Sequence, residues 1–401
     1  MSFQWHDCTR YASRHLPNTD RPGPFLTAPP LLTDSAAQAA ACATFARETR
    51  LALDTEFLRE RTYVAELALV QLGTESEVAL LDPLCGADPA PLAALLTAPS
   101  VTKVLHAARQ DVEVLLPLTG VPAAPLLDTQ IAAGLIGLAP QIGYADLVMQ
   151  VLDVELAKSG SAGNLARTDW TRRPLSEAQL LYAADDVRHL LALAAALEHR
   201  LTGLGRLEWW YEDCRALNDP QLYVVQPADA WRRLKGVDSL PAREQLAIRA
   251  LAAWREDKAR QYNLPRSWVL GDDGLRELAH RPPATLSVLK SRRVFRDETA
   301  DRVGEEILAL FSTVASASTD GITQTNKGRP APEEEALHKL LTERVRTVAE
   351  QLDISPEILA TQKELRRLAR GDRTAQGPLG GWRADVVGTR LLEILDSRTT
   401  A

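Results

Sequence analysis

The sequence predicts a mixed α/β domain followed by two all-helical units, and three observations predict it. Short apolar runs of strand length, separated by turn residues, occupy residues 50–128. From Gln130 to about Asn218 the apolar spacing becomes helical, so strands and helices share one domain. Beyond a proline-containing junction at Tyr223–Leu240 only helical patterns occur. A stretch of small polar residues, Ser312–Pro332, divides these into two units of similar size and rhythm, a weak repeat.

Taken in order, the lead segment Asn18–Thr33 is proline-rich and reads as an extended arm. Ser35 is a plausible N-cap for a helix to Arg47. Arg50–Phe57, Tyr63–Gly73 and Val78–Pro83 read as three antiparallel strands. A helix around Pro91–Leu96, a strand at Thr102–Ala107, a helix at Asp111–Leu118 and a short strand at Leu126–Asp128 follow as βα units. Ser176 with Gln179 three residues on forms a capping box, which opens a long Leu/Ala-rich helix to His199. Past the junction, helices are expected at Arg243–Tyr262, Asp272–His280, Thr285–Lys290 and Arg296–Phe311, then at Glu333–Leu352, Ser355–Arg370 and Ala384–Leu395. The expected divisions are an arm at 1–30, an α/β domain at 31–225, helical units at 226–315 and 333–401, and a linker at 316–332.

The 401 residues carry 46 Lys+Arg and 53 Asp+Glu, a net charge of −7, and 45% of them are apolar. That is an ordinary folded chain, not a disordered or collagen-like one. No apolar run reaches the ~18 residues of a membrane span, and the N-terminus lacks the apolar core of a secretory signal. Cys8, Cys42, Cys85 and Cys214 are scattered without metal-ligand spacing, so reduced thiols and a cytoplasmic location are expected. Taken over the whole chain, the net charge disfavours nucleic acid. It is unevenly spread, however. Residues 1–225 hold 17 Lys+Arg against 27 Asp+Glu, and residues 226–401 hold 29 against 26.

Some of that acid forms a pattern. Asp54 and Glu56 flank Thr55 in an otherwise apolar strand, and period two directs both carboxylates to one face. Two anions on one face of a core strand are costly unless a cation neutralises them, although a pair at a solvated edge is the ordinary explanation. Asp111 follows the strand ending in His106–Ala107 and sits where a helix begins, as first-turn acids commonly do. Tyr182 and Asp186, four residues apart, share one face of the long helix, whereas Asp185 is turned about 100° from Asp186. Together, four carboxylates on a strand, a helix start and a long helix can supply oxygen ligands for two divalent ions, an arrangement suited to in-line phosphoryl displacement.

Here the sequence resembles a known family. DTEF at 54–57, HAARQD at 106–111 and YAADDVRHL at 182–190 resemble the three motifs of the DEDDy 3′→5′ exonucleases. The flanking LALDTEFLRERTY, VLHAARQDVEVL, LLDTQIAA and RTDWTRRPLSEAQLLYAADDV narrow the likeness to ribonuclease D, from about residue 45 to the C-terminus. The resemblance implies a ribonuclease H-like exonuclease domain, a mixed sheet flanked by helices. It implies that Asp54, Glu56, Asp111 and Asp186 bind two divalent metal ions, Mg²⁺ or Mn²⁺. Tyr182 would position the water that attacks the terminal phosphodiester. A phenol whose ordinary value is near 10 is a poor base at pH 7, so orientation is favoured over deprotonation. Thr55, Phe57, Gln71 and His106 are candidate substrate contacts. For the last three a place in the core or at a strand end competes with that role. Asp128, ahead of Thr129–Gln130, reads as a helix N-cap rather than a ligand. Trp209 and Trp210 are expected at a domain interface, and Arg172–Arg173 as surface charge or a phosphate contact.

Residues 241–315 resemble an HRDC domain through LAIRALAAWREDKARQYNLPRSWVLGDDGLRELAHRPPATLSVL, and residues 333–400 a divergent second copy. Lys290, Arg292, Arg293 and Arg296 beside Phe295 form a basic run of the kind that contacts phosphates, or an ordinary solvated face. Two departures stand out. Lys158–Trp170 (KSGSAGNLARTDW) is longer than the family's usual form, and the N-terminal arm exceeds the family core. The expectation is a monomeric 3′→5′ exoribonuclease acting on RNA with a single-stranded 3′ end, with tRNA precursors as substrates. The rivals are the same chemistry on DNA, or a non-catalytic RNA-binding protein with a relic nuclease fold.

Overall fold

The structure, a computed structural model, describes residues 28–156, 165–322, 331–374 and 376–399. Most of the predicted arm, residues 158–164 of the insertion and residues 323–330 of the linker lie outside the described residues.

A six-stranded sheet organises the first half, in the order β1–β4–β3–β2–β5–β6. Its strands are β1 (Leu31–Leu32), β2 (Arg50–Leu58), β3 (Glu66–Gly73), β4 (Val78–Leu81), β5 (Thr102–Leu105) and β6 (Leu126–Asp128). β2, β3 and β4 form an antiparallel meander, as the short spacers between them require. β5 pairs parallel to β2, and β6 parallel to β5. The β5–β6 crossover carries a helix. The end of the expected arm Asn18–Thr33 joins the sheet instead: Leu31 and Leu32 pair parallel to Leu80 and Leu81 as β1. Two residues are too short for a periodic signal. β2 is central, and Leu51, Ala52 and Leu53 are fully buried.

The helices are α1 (Ser35–Phe45), α2 (Ala90–Thr97), α3 (Arg109–Thr119), α4 (Thr129–Leu135), α5 (Tyr144–Leu152), α6 (Glu177–Arg188), α7 (Leu190–Gly203) and α8 (Leu207–Ala216). Asp34 rather than Ser35 caps α1, accepting the Ala37 amide at 2.8 Å. The long helix expected from Ser176 to His199 is two. Its capping box is present, but the helix breaks at His189. α6 packs on β2, β3 and β4, whereas α7 packs on α4 and α5. The break lets one apolar segment change its support, and no Gly or Pro announces it.

The second half is helical, with α9 (Ala242–Gln261), α10 (Asp272–His280), α11 (Leu286–Ser291), α12 (Asp297–Ser316), α13 (Pro332–Leu352), α14 (Gln362–Ala369) and α15 (Thr389–Thr399). α12 runs through Ser316, five residues past its expected end and one residue into the predicted linker. The single helix expected at Ser355–Arg370 is a four-residue turn, Pro356–Leu359, followed by α14.

That break repeats an earlier one. α9 ends near left-handed Asn263 and is followed by the turn Arg266–Val269, extended Leu270 (φ −161°) and α10. α13 ends at left-handed Asp353 and is followed by Pro356–Leu359, extended Ala360 (φ −159°) and α14. The weak repeat in the sequence is therefore a repeat of backbone path.

The two units attach differently. α9–α12 have their own core around Ile248, Leu251, Leu275 and Ile307. The C-terminal helices instead share the core of the α/β domain, which runs without interruption into Val345, Leu365 and Leu391. At that boundary Trp382 stacks on Trp209, with ring centroids 4.2 Å apart. Arg383 donates to both carboxylate oxygens of Asp213 at 2.7 and 2.9 Å. Trp209 thus meets the interface expectation, while Trp210 is buried within the domain core. The α9–α12 unit holds the β2–β3 loop. Tyr63 donates its hydroxyl hydrogen to Glu256, and Asn263 accepts from the Tyr63 and Val64 amides. Two of the four cations in the basic run near Phe295 are engaged within its unit. Lys290 pairs with Asp301, Arg292 lies 3.7 Å from Glu277, and Phe295 packs edge-on to Trp254.

Candidate active site

β2 delivers two carboxylates to one cleft because its alternation is regular up to Glu56. The register shifts only between Glu56 and Phe57. α6 crosses this strand and brings Asp186 from the other side. One carboxylate oxygen from each of Asp54, Glu56 and Asp186 lies within 4.8 Å of the others. Asp111, in the first turn of α3, is 6% exposed and approaches from behind Thr55, whose hydroxyl donates to Asp111 Oδ1 at 2.6 Å. It stands outside the tight group of three yet close enough to act on it electrostatically.

The cleft is lined by Asp54, Thr55, Glu56, His106, Tyr144, Ala166, Tyr182, Asp186 and Leu190. Its electrostatics are those of crowded anions. Burial, then Asp111, Asp186 and Glu56, hold the Asp54 carboxyl well above the usual range. Burial and then Asp186 push Glu56 up to about 9. Burial first and Asp185 second raise Asp186 to about 8, opposed by its hydrogen bond with Tyr182. Asp111 rises to about 7 through burial, opposed by the Thr55 hydroxyl. Such a group is stabilised either by protons or by cations. The donors are all carboxylate oxygens, which suits hard divalent ions rather than zinc or copper.

Tyr182 sits one turn before Asp186. Burial, then Asp186, Glu56 and Asp54, push its phenol above the ordinary value. It therefore keeps its proton at neutral pH and can donate, but not readily deprotonate water. Its ring leans on buried Trp170, with centroids 6.0 Å apart. Trp170 is held in turn by Arg173, which donates to Trp170 O, Ala68 O and both oxygens of Asp82. Arg173 is thus occupied beneath α6, while Arg172 is exposed beside Asp169.

His106 lines the cleft, its Nε2 donating to Ile142 O and its Nδ1 3.0 Å from Thr129 Oγ1. Gln71 lies opposite Asp54 on β3, fully buried, and both of its side-chain polar atoms lack a hydrogen-bond partner. Phe57 is half-buried against the core, with the Arg59 guanidinium 5.5 Å from its ring centre, and is not among the lining residues. Sequence reasoning missed Tyr144. It opens α5, is half-buried, and lines the cleft with its hydroxyl on Asp185 O at 3.3 Å. The only local signal is Gly143 before a helix, which says nothing of chemistry.

Comparison with known proteins identifies the family. A 3′–5′ exonuclease family matches residues 30–202, and the HRDC domain family matches residues 244–311. The chain is 38% identical over 374 residues to ribonuclease D of Granulibacter bethesdensis, covering 91% of this chain and 92% of that one. It is 38% identical to ribonuclease D of Acidiphilium cryptum, covering 94% and 96% respectively. Among solved structures, Escherichia coli RNase D, described as an exoribonuclease involved in structured RNA processing, superposes with a TM-score of 0.82. The identity is 32%, over 92% of this chain and 98% of that chain.

Proposed function

Because the chain belongs to the ribonuclease D family and is a 3′→5′ exoribonuclease, we propose that Asp54, Glu56, Asp111 and Asp186 hold two divalent metal ions at which the 3′-terminal nucleotide is removed. The observation that carries this is the meeting of three carboxylate oxygens within 4.8 Å, with Asp111 close behind. Two cations in this group would neutralise the carboxylates and stabilise charge on the attacking and leaving oxygens of the phosphodiester. The chain's own residues do the rest. Thr55 fixes the Asp111 carboxylate by its hydroxyl. Asp186 accepts the Tyr182 hydroxyl hydrogen, which leaves the phenol oxygen as the acceptor that would orient the attacking water. His106 and Thr55, which line the cleft, are the candidate contacts to the terminal nucleotide; Gln71, fully buried opposite Asp54, and Phe57, outside the lining, are not placed to touch it.

The products are a nucleoside 5′-monophosphate and an RNA one nucleotide shorter. The substrates are RNAs with a single-stranded 3′ end, with tRNA precursors among them. That choice is supported by family membership and by the relative described as processing structured RNA. The chain acts as a monomer in the cytoplasm, and either Mg²⁺ or Mn²⁺ serves. No described helix is long and apolar enough to cross a membrane. Residues 31–225 form the exonuclease domain and 226–315 the HRDC domain. Residues 333–401, joined by the linker 316–332, are a divergent second HRDC copy, supported by the repeated backbone path through Asn263 and Asp353.

The test is mononucleotide release from matched 5′-labelled RNA and DNA oligonucleotides in Mg²⁺ or Mn²⁺, comparing the wild-type chain with Asp186→Asn. Stepwise shortening of RNA, faster than of DNA and lost by several orders of magnitude in the variant, is the expected result. Faster DNA degradation, or an Asp186→Asn chain as active as wild type, refutes the assignment.

A further inference from the structure

Residues 106–109 turn the chain from β5 into α3, and this turn decides where Asp111 points. It is an awkward turn. Ala107 has φ +58°, in the left-handed region that a side chain disfavours. No side chain caps α3 at Ala108. Something outside the turn must therefore hold it.

Asp128, the last residue of neighbouring β6, does so. Its Oδ1 accepts the Ala107 amide at 3.0 Å and its Oδ2 the Ala108 amide at 2.9 Å. Oδ1 also accepts the Gln130 amide at 2.8 Å, which is the expected N-cap of α4. Capping needs one oxygen and one amide. The two bonds to the β5–α3 turn are additional to it. Asp128 is itself immobilised. It is 4% exposed, its amide donates to Cys214 Sγ, and its carbonyl accepts from Trp210 Nε1 at 2.8 Å.

We infer that Asp128 is a positioning residue for the exonuclease site: its carboxylate clamps the left-handed turn at Ala107–Ala108 so that the first turn of α3 presents Asp111 to the acidic cleft. The inference rests on the reading of Asp111 as a metal-site residue. It adds a role in the reaction to a residue otherwise explained as a helix cap.

Asp128→Asn and Asp128→Ser separate the two roles, since Asn and Ser both cap helices well. Asn sets an NH₂ group against an amide that needs an acceptor, and Ser lacks the reach to serve both turn amides. The full chain carrying each variant is titrated with Mn²⁺ by calorimetry, assayed for kcat and KM on an unstructured oligoribonucleotide, and melted without metal. Asp111→Asn and the Asp111→Asn/Asp128→Asn double variant are measured alongside. We expect Mn²⁺ affinity to fall about tenfold or more and kcat to fall with it, while KM changes less than about twofold. The double variant should lose no more than Asp111→Asn alone. Adding Ala107→Gly to Asp128→Asn should restore several-fold of the lost Mn²⁺ affinity, because glycine holds a left-handed turn without a clamp. This rescue also reads the role if the single variants are unstable. Wild-type Mn²⁺ affinity and kcat in both Asp128 variants, fully additive losses in the double variant, or no rescue by Ala107→Gly overturns the inference. If Asp111→Asn itself keeps wild-type Mn²⁺ affinity and kcat, the reading of the site fails, and the clamp falls with it.

Discussion

Asp54, Glu56, Asp111 and Asp186 are four acids that the folded chain crowds and the unfolded chain separates. In the folded chain Glu56, Asp186 and Asp111 are raised to about 9, 8 and 7, and Asp54 well above its usual range. Unfolded carboxyls titrate near 4. Between those limits the folded chain binds more protons than the unfolded one, so metal-free stability falls as pH rises. The contribution is full below about pH 4 and is lost as pH climbs through 7 to 9. In EDTA, Asp54→Asn is therefore expected to raise Tm by a few degrees at pH 8 and to leave it nearly unchanged at pH 4. Mn²⁺ should stabilise the wild type more than the variant. A Tm for Asp54→Asn at or below wild type at pH 8 would remove the crowded-anion account. Strand period put Asp54 and Glu56 on one face and the four-residue helical spacing put Tyr182 beside Asp186; that the two pairs meet was legible through the resemblance of the three motifs to a known family. Tyr144 was not legible, because its place in the cleft follows from where α5 lands.

At the scale of elements, strands were read within a few residues and helix interruptions were not. The break at His189 contains no Gly or Pro, and tertiary support decides it; the one at Ala360–Thr361 carries a local signal, the capping box of Thr361 and Glu364 that opens α14. The segment between α5 and α6 shows a related dependence. Arg173 joins Asp82, Ala68 and Trp170, and Trp170 supports Tyr182. Arg173→Ala leaves Asp82, whose side chain is 5% exposed, without its cation. Since the arginine itself is partly open to water, a loss of roughly 2–3 kcal/mol in denaturant unfolding is expected. kcat should fall more than KM rises, because the Tyr182 ring loses its backing. Unaltered stability would mean that Asp82 is hydrated rather than clamped. The same substitution as a phosphate-contact loss would raise KM instead, which distinguishes this anchoring role from the phosphate contact that the sequence left open.

Among the described residues, one core is shared by the α/β domain and the C-terminal helices, a second lies within α9–α12, and a small third one gathers Leu69, Leu80 and Trp170. Net charge of −7 over 401 residues disguises this arrangement and the local one. Four of the 27 acids in residues 1–225 lie where cations are proposed to reverse the charge, and the rest of that half stays acidic. A chain ending at residue 322 would uncover Trp209, Leu135 and the rest of the face that Val345, Leu365 and Trp382 cover. It is expected to melt at least ten degrees below the full chain and to bind a hydrophobic dye. By contrast, Tyr63→Phe removes only hydrogen bonds to Glu256 and the neighbouring arginines, at a cost of about 1 kcal/mol. A soluble, active truncation of wild-type Tm would show the shared core to be dispensable. The shared core also imposes a schedule. During synthesis the exonuclease domain emerges first, but its apolar boundary at α8 waits for Trp382 and Leu391. That is some 180 residues, or roughly ten to thirty seconds of translation. Throughout that interval the nascent chain carries an uncovered indole face beside a complete catalytic sequence. A premature stop in the last sixty or so codons would therefore leave every motif intact and still send the product to chaperones and proteases.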